Sequence, residues 1–181
     1  MKRLVFILLL VFAGICCSCR NDDDSDLTPI EQLPAQTTVG VNTAGCLVNG
    51  VVLLPSGRAN ETKLRCQYAR RNGEYVFILG IINRDQQYSR SVILRTENFQ
   101  LDEGKSYKFL EKPIQIWAEH SIESGLINYY DTDMDHSGIL SITRLDEEQR
   151  IISGTFSFTA VNDQGETVEV TDGRFDMRYI P

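Results

Sequence analysis

Three aspartates at alternate positions, Asp131, Asp133 and Asp135, sit in the run Asp131-Thr132-Asp133-Met134-Asp135-His136-Ser137-Gly138. Alternate carboxylates gather oxygen ligands close together, as hard Ca²⁺ prefers. The calcium-loop pattern also asks for glycine at its sixth position and glutamate at its twelfth. Counted from Asp131, those positions hold His136 and Ile142. The run therefore reads as an acidic, solvated loop. Asp131, Asp133 and Asp135 stay as weak metal candidates, and no cofactor is expected. The two histidines, His120 and His136, lack zinc-ligand spacing. Glu119-His120-Ser121-Ile122-Glu123 sets an acid, an imidazole and a hydroxyl side by side. Triads are assembled by folding, not by adjacency, so this segment reads as a surface turn. Among 25 acidic residues some pair always falls at a separation suited to glycoside hydrolysis, so that pattern carries no signal. No catalytic residue is assigned, and the chain reads as non-enzymatic.

Flat aromatics are the usual contacts for sugars. Trp117, the one tryptophan, and the neighbours Tyr129 and Tyr130 are the candidates for glycan contact. Adjacent strand residues face opposite ways, so one of the two tyrosines should point outward. Trp117 should point away from Ile116 and Ala118, with core packing as the plainer reading. Cys46 and Cys66 could form a disulfide in an oxidising compartment. Two separate buried thiols acting as small hydrophobes are the alternative.

The elements that position these residues read as strands and turns. Apolar runs at 44–48 and 51–54 are joined by Asn49-Gly50, the strongest hairpin signal in the chain. A strand follows at 62–68, turned at Arg71-Asn72-Gly73. Residues 74–83 are apolar on both faces, with Tyr75, Phe77, Leu79 and Ile81 on one and Val76, Ile78 and Ile82 on the other. That pattern predicts a central strand covered on both sides. Shorter strands are expected at 90–96, 106–110 and 114–118. A series of period-2 segments closes the chain at 138–145, 151–161, 166–171 and 174–180, the last two separated by a turn at Asp172-Gly173. No amphipathic helix is apparent. The expected fold is all-β, a single antiparallel β-sandwich with a meander of C-terminal strands, and a small up-and-down β-barrel is the alternative.

The N-terminus supplies a different kind of chemistry. Met1-Lys2-Arg3 is basic, an apolar run follows to Ile15, and then come Cys16, Cys17, Ser18 and Cys19. The order resembles a secretory signal of the bacterial lipoprotein type, cut before a cysteine that is then acylated, for example with palmitate. Only Cys19 is preceded by a small residue other than cysteine, Ser18, so Cys19 is the expected lipidation site. The apolar run is shorter than the roughly 20 residues a spanning helix needs. Asp22, Asp23, Asp24 and Asp26 follow, resembling the acidic tract that sends lipoproteins of Bacteroidota to the outside of the outer membrane. The expected organisation is a signal peptide at 1–18, an acidic flexible tether at 19–35 and a single β domain at 36–181. The expected location is the outer membrane, lipid-anchored, at the cell surface. Loss of the leader removes Lys2 and Arg3 but no acid, which takes the net charge from −7 to −9. Such a balance argues against nucleic acid, whose binding needs clustered Lys and Arg.

Both ends of the domain resemble an uncharacterised lipoprotein family of Bacteroidales. The resemblance rests on Leu33-Pro34, Thr37, Gly40, Asn42-Thr43, Gly45-Cys46 and Val48-Asn49-Gly50 at one end. At the other it rests on Gly138, Leu140, Ile142-Thr143, Leu145-Asp146, Ser153-Gly154-Thr155-Phe156, Phe158, Ala160, Val168 and Thr171-Asp172-Gly173-Arg174-Phe175. It implies a lipid anchor and a single β-rich domain, and it brings no activity with it. The expected role is a non-catalytic binding or accessory module whose partner is an outer-membrane protein complex or a glycan. The alternatives are a barrel carrying a small ligand and a hydrolase using carboxylates.

Overall fold

A computed structural model describes residues 27–84 and 88–181. The expected leader, the acidic tract and Cys19 lie outside them. Among the described residues are eleven strands and no helix. They are β1 Thr43–Val48, β2 Val51–Leu53, β3 Leu64–Arg71, β4 Glu74–Arg84, β5 Ser89–Glu97, β6 Ser106–Lys108, β7 Ile116–Glu123, β8 Ile127–Asp131, β9 Gly138–Asp146, β10 Ile151–Val161 and β11 Thr167–Arg178.

One continuous antiparallel sheet folds over on itself into two layers. The strand order β2-β1-β11-β10-β9-β6 makes the first layer, and β8-β7-β5-β4-β3 makes the second. The corner between them is a single pairing, Val161 of β10 with Asp131 of β8. Period-2 alternation sends every second side chain inward, where the layers meet as a single core. Phe77 of β4 meets Phe175 of β11 across the core at 6.0 Å, and within the first layer Phe109, just after β6, meets Phe158 of β10 at 5.7 Å over Gly138 of β9. Phe77 is fully buried, and truncating it to alanine would cost about 3–5 kcal/mol. The sheet does not close, so the barrel alternative is overturned; large apolar side chains such as Leu79, Leu94 and Ile152 fill the space between the layers.

Several local features differ from expectation. The segment from Glu119 to Glu123 is no surface turn but the second half of β7. β8 is missing from the expected strand segments, because its polar and exposed residues carry little periodicity, and only the alternation of Tyr129 and Tyr130 is expected there. Asp172-Gly173 does not turn the chain. It forms a bulge in one long β11, where Gly173 pairs with Phe156 while Val170 pairs with Phe158, and Asp172 takes a positive φ of 52°. The Asn49-Gly50 hairpin forms as expected, with φ of 48° and 76°. Leu33 is buried, so packing begins within the last residues of the stretch read as tether.

The N-terminal arm is fastened by one carboxylate. Asp176 of β11 is 1 % exposed. It accepts hydrogen bonds from Thr37 Oγ1 at 2.6 Å, Gly40 N at 2.7 Å, Val39 N at 3.0 Å, Val41 N at 3.4 Å and Ser153 Oγ at 2.7 Å. Burial pushes its pKa up, but the Thr37 and Ser153 hydroxyls and the Gly40 and Val39 amides outweigh burial and hold it below the usual carboxylate value.

Candidate binding groove

β4 explains why a surface of this protein stays partly apolar. Its inward residues Phe77, Leu79 and Ile81 are fully buried. Its outward residues Val76, Ile78 and Ile82 are only half-buried. The expectation of cover on both faces holds for one face only, because among the described residues no third strand layer lies over the outside of β3, β4 and β5.

Register then assembles the outer face. Ile78 of β4 lies opposite Arg95 of β5, and Arg95 opposite Trp117 of β7. In the next row Gly80 lies opposite Ile93, and Ile93 opposite Glu119. With Ile82 these residues line a groove of about 1030 Å³ that runs to the β3 edge, where Arg65, Arg178 and Ile180 border it. Gly80 keeps the middle of the groove open: a Cβ there would meet nothing nearer than the Cβ of Arg65, at 4.0 Å. The lining is mainly apolar below and guanidinium-rich at the sides. On a chain of net charge −7, that local balance favours a ligand or partner with an apolar body and negative groups.

The acid on this lining is already engaged. Lys112 Nζ lies 2.6 Å from Glu119 Oε2 and 3.1 Å from Asp131 Oδ1. Burial pulls the Lys112 pKa down, but hydrogen bonds and charge from Glu119 and Asp131 more than reverse this, and it stands above its ordinary value. The lysine also sits 5.8 Å from the centre of the Tyr129 ring.

The residues singled out by sequence are partly gathered here and partly dispersed. Trp117 and Tyr129 share the outer face, while Tyr130 points the other way. Tyr129 is 49 % exposed. Trp117 is 3 % exposed and carries the Arg95 guanidinium over its ring, so it is no open stacking platform. Tyr130 lies beside His120, rings 5.9 Å apart, and its hydroxyl donates to Glu166 Oε2 at 3.4 Å. His120 is fully buried on the core face, with Nδ1 2.8 Å from the Ser91 carbonyl. Burial, only partly offset by that carbonyl and reinforced by Arg90, lowers its pKa to about 4. Strand alternation thus puts His120 and its sequence neighbours Glu119 and Ser121 on opposite faces, and the acid, imidazole and hydroxyl cannot act together.

The aspartate run is likewise held apart. Asp131 faces Lys112. Asp133 Oδ1 accepts from the backbone of Asp135 at 2.9 Å and lies 3.0 Å from His136 Nδ1. Its pKa is lowered, first by the His136 backbone hydrogen bond. The loop is closed on itself as a turn. Among the described residues no three His, Cys, Asp or Glu side chains come together as a metal site. Cys46 and Cys66 are free and buried. They sit in different layers, and layers stack about 10 Å apart, beyond the roughly 7 Å that a disulfide can bridge. Of the two readings of the sequence, the structure shows two separate buried thiols and not the possible disulfide.

Sequence reasoning missed Arg65, Gly80, Arg95 and Arg178. The signal that could have found them was the second apolar face of residues 74–83, read as a covered face when it is the floor of an open one.

Residues 68–177, well over half of the chain, match the family described as a domain of unknown function, DUF6252. The matched stretch takes in β4, β5 and β7 and with them Arg95, while Arg65 and Arg178 lie outside it. No curated protein and no solved structure matches the chain.

Proposed function

The chain belongs to the DUF6252 family, and we propose that it is a non-catalytic binding module, held at the outer face of the outer membrane by acyl chains on Cys19, that works through the outer face of its β3–β4–β5–β7 layer. It would be a lipoprotein of the Bacteroidales type its two ends resemble, with an outer-membrane protein complex or a glycan as partner. The observation that supports this is the groove itself: an apolar floor at Ile78, Ile82 and Ile93 beside Arg65, Arg95 and Arg178. Glu119, the acid on that lining, is neutralised by Lys112, which favours binding over proton transfer. Two or more acyl chains give stable anchoring where one does not.

The test is capture of the native protein from detergent-solubilised outer membrane, with mass spectrometry of what accompanies it. One reproducible companion, lost from Gly80→Leu, supports the reading. A companion retained unchanged by Gly80→Leu rules the groove out. The anchor is tested separately: Cys19→Ala should leave the membrane fraction, and its retention there would refute lipidation at Cys19.

A further inference from the structure

We propose that the open edge of β8 docks an extended, basic segment of a partner protein, which adds to the sheet as a strand beyond the end of β10. This edge is a different surface from the groove floor, joined to it through Lys112, which bridges Glu119 of the groove lining and Asp131 of β8.

Two layers have four edges. β2 and β6 are only three residues long. The edge of β3 is occupied, since Tyr68 N donates to the Ile180 carbonyl and Ile180 N to the Cys66 carbonyl. β8 is different. Thr132 N donates inward to the Ala118 carbonyl at 3.0 Å, and antiparallel ladders alternate. Tyr130 and Asn128 therefore bond inward to β7, while Asp131, Tyr129 and Ile127 turn their backbone N–H and C=O groups outward. Asp131 meets Val161 of β10. β10 then ends, its chain turning away through a hydrogen bond from Gly165 N to the Asn162 carbonyl. The ladder is begun and left open at Tyr129 and Ile127.

Natural edges are blunted by charge, proline, bulges or brevity. β8, five residues long, carries neither charge nor proline nor bulge at its open positions Ile127 and Tyr129. Leu126, Ile127 and Tyr129 are 84 %, 45 % and 49 % exposed. A hollow of about 520 Å³ lies along the open ladder, bordered by Ile127, Tyr129, Val161, Glu111, Asp133 and Asp163. Lys112, the cation on its lining, is held by Glu119 and Asp131. Glu123 lies directly opposite Ile127 and adds a further acid. An incoming strand gains main-chain hydrogen bonds from the edge and specificity from alternate side chains, and here the charge calls for Lys or Arg between apolar residues. A second copy of β8 would bring the same acids against themselves. The chain's own Asp22, Asp23, Asp24 and Asp26 carry the wrong sign for the same reason.

The experiment uses the full-length protein in detergent with a synthetic peptide alternating lysine and valine, and a glutamate–valine counterpart. The lysine peptide should bind, weaken with added salt, and slow hydrogen exchange at the Ile127 and Tyr129 amides. Tyr129→Pro removes an outward N–H without touching the β7 ladder and should weaken binding about tenfold. Ile127→Lys leaves the backbone intact, opposes the peptide's charge and should also weaken binding, which covers the case in which the proline variant does not fold. Equal binding of the glutamate peptide, or affinity untouched by both substitutions, overturns the proposal. So does a protein dimer that Tyr129→Pro dissociates, which would make a second copy the occupant.

Discussion

The Arg95 guanidinium lies over the indole of Trp117, 5.9 Å from its centre, with the two residues directly opposite on β5 and β7. Trp117 is the one tryptophan of the chain, so its fluorescence reports on the groove alone. Arg95→Ala should uncover the indole, shift its emission to longer wavelength and cost about 1 kcal/mol of stability. An unchanged emission maximum in the folded variant would mean that Arg95 does not cover the ring.

Asp176→Asn should destabilise the fold by about 3 kcal/mol, because an amide must turn its NH₂ toward at least one of the donors that the carboxylate satisfies. Amides of Val39 and Gly40 should exchange faster in the variant. Since the folded pKa is depressed, the carboxylate contributes stability that is present above its ordinary value of 3.8 and is lost as pH falls through the folded value. Wild-type stability should therefore drop more steeply than that of Asp176→Asn at the acid end of a denaturation series.

His120 acts at higher pH. Its ordinary value of 6.5 falls to about 4 in the folded protein, first through burial. A base that takes a proton less readily when folded contributes stability that is complete above the unfolded pKa and is lost as pH falls toward the folded one. Stability should decline by roughly 3 kcal/mol across that window. His120→Phe should abolish the slope whatever it does to absolute stability. Denaturant midpoints measured from neutral pH down to about pH 4 would show it, and an equal slope in both proteins would exclude His120 as its source.

Cys46 and Cys66 should resist alkylation in the native protein at mildly alkaline pH and react once it is unfolded. Burial pushes the Cys46 thiol up to about 12, with Arg90 only partly opposing, and pushes Cys66 up as well. Peptide mapping after iodoacetamide would separate these two from the N-terminal cysteines, and modification before unfolding would contradict their burial.

Much of the fold was legible because alternation of apolar residues carries over directly into inward and outward positions. Residues 151–161 form a strand with the predicted limits, with Phe156, Phe158 and Ala160 buried. The failures share a physical cause. Asp172-Gly173 has turn chemistry, yet both β1 and β10 continue to pair past it, and that pairing absorbs it as a bulge. Asp176 has the composition of a wet face, yet it is covered by an arm remote in sequence. The arginines of the groove come from β3, β5 and the end of β11, and only register brings them near Trp117. Alternation shows which way a residue points but not what a distant segment lays over it.

The clamp on Asp176 also sets where mechanical load enters the domain. Tension on the N-terminal side, from a lipid on Cys19 or from anything else upstream, passes the buried Leu33 and then reaches residues 37–41, where a carboxylate on β11 takes it up. β11 lies between β1 and β10, so the pull is spread across an interior strand before it can peel β1 from its neighbour. A pull from the N-terminal side is thus met by an interior strand and not by an edge strand.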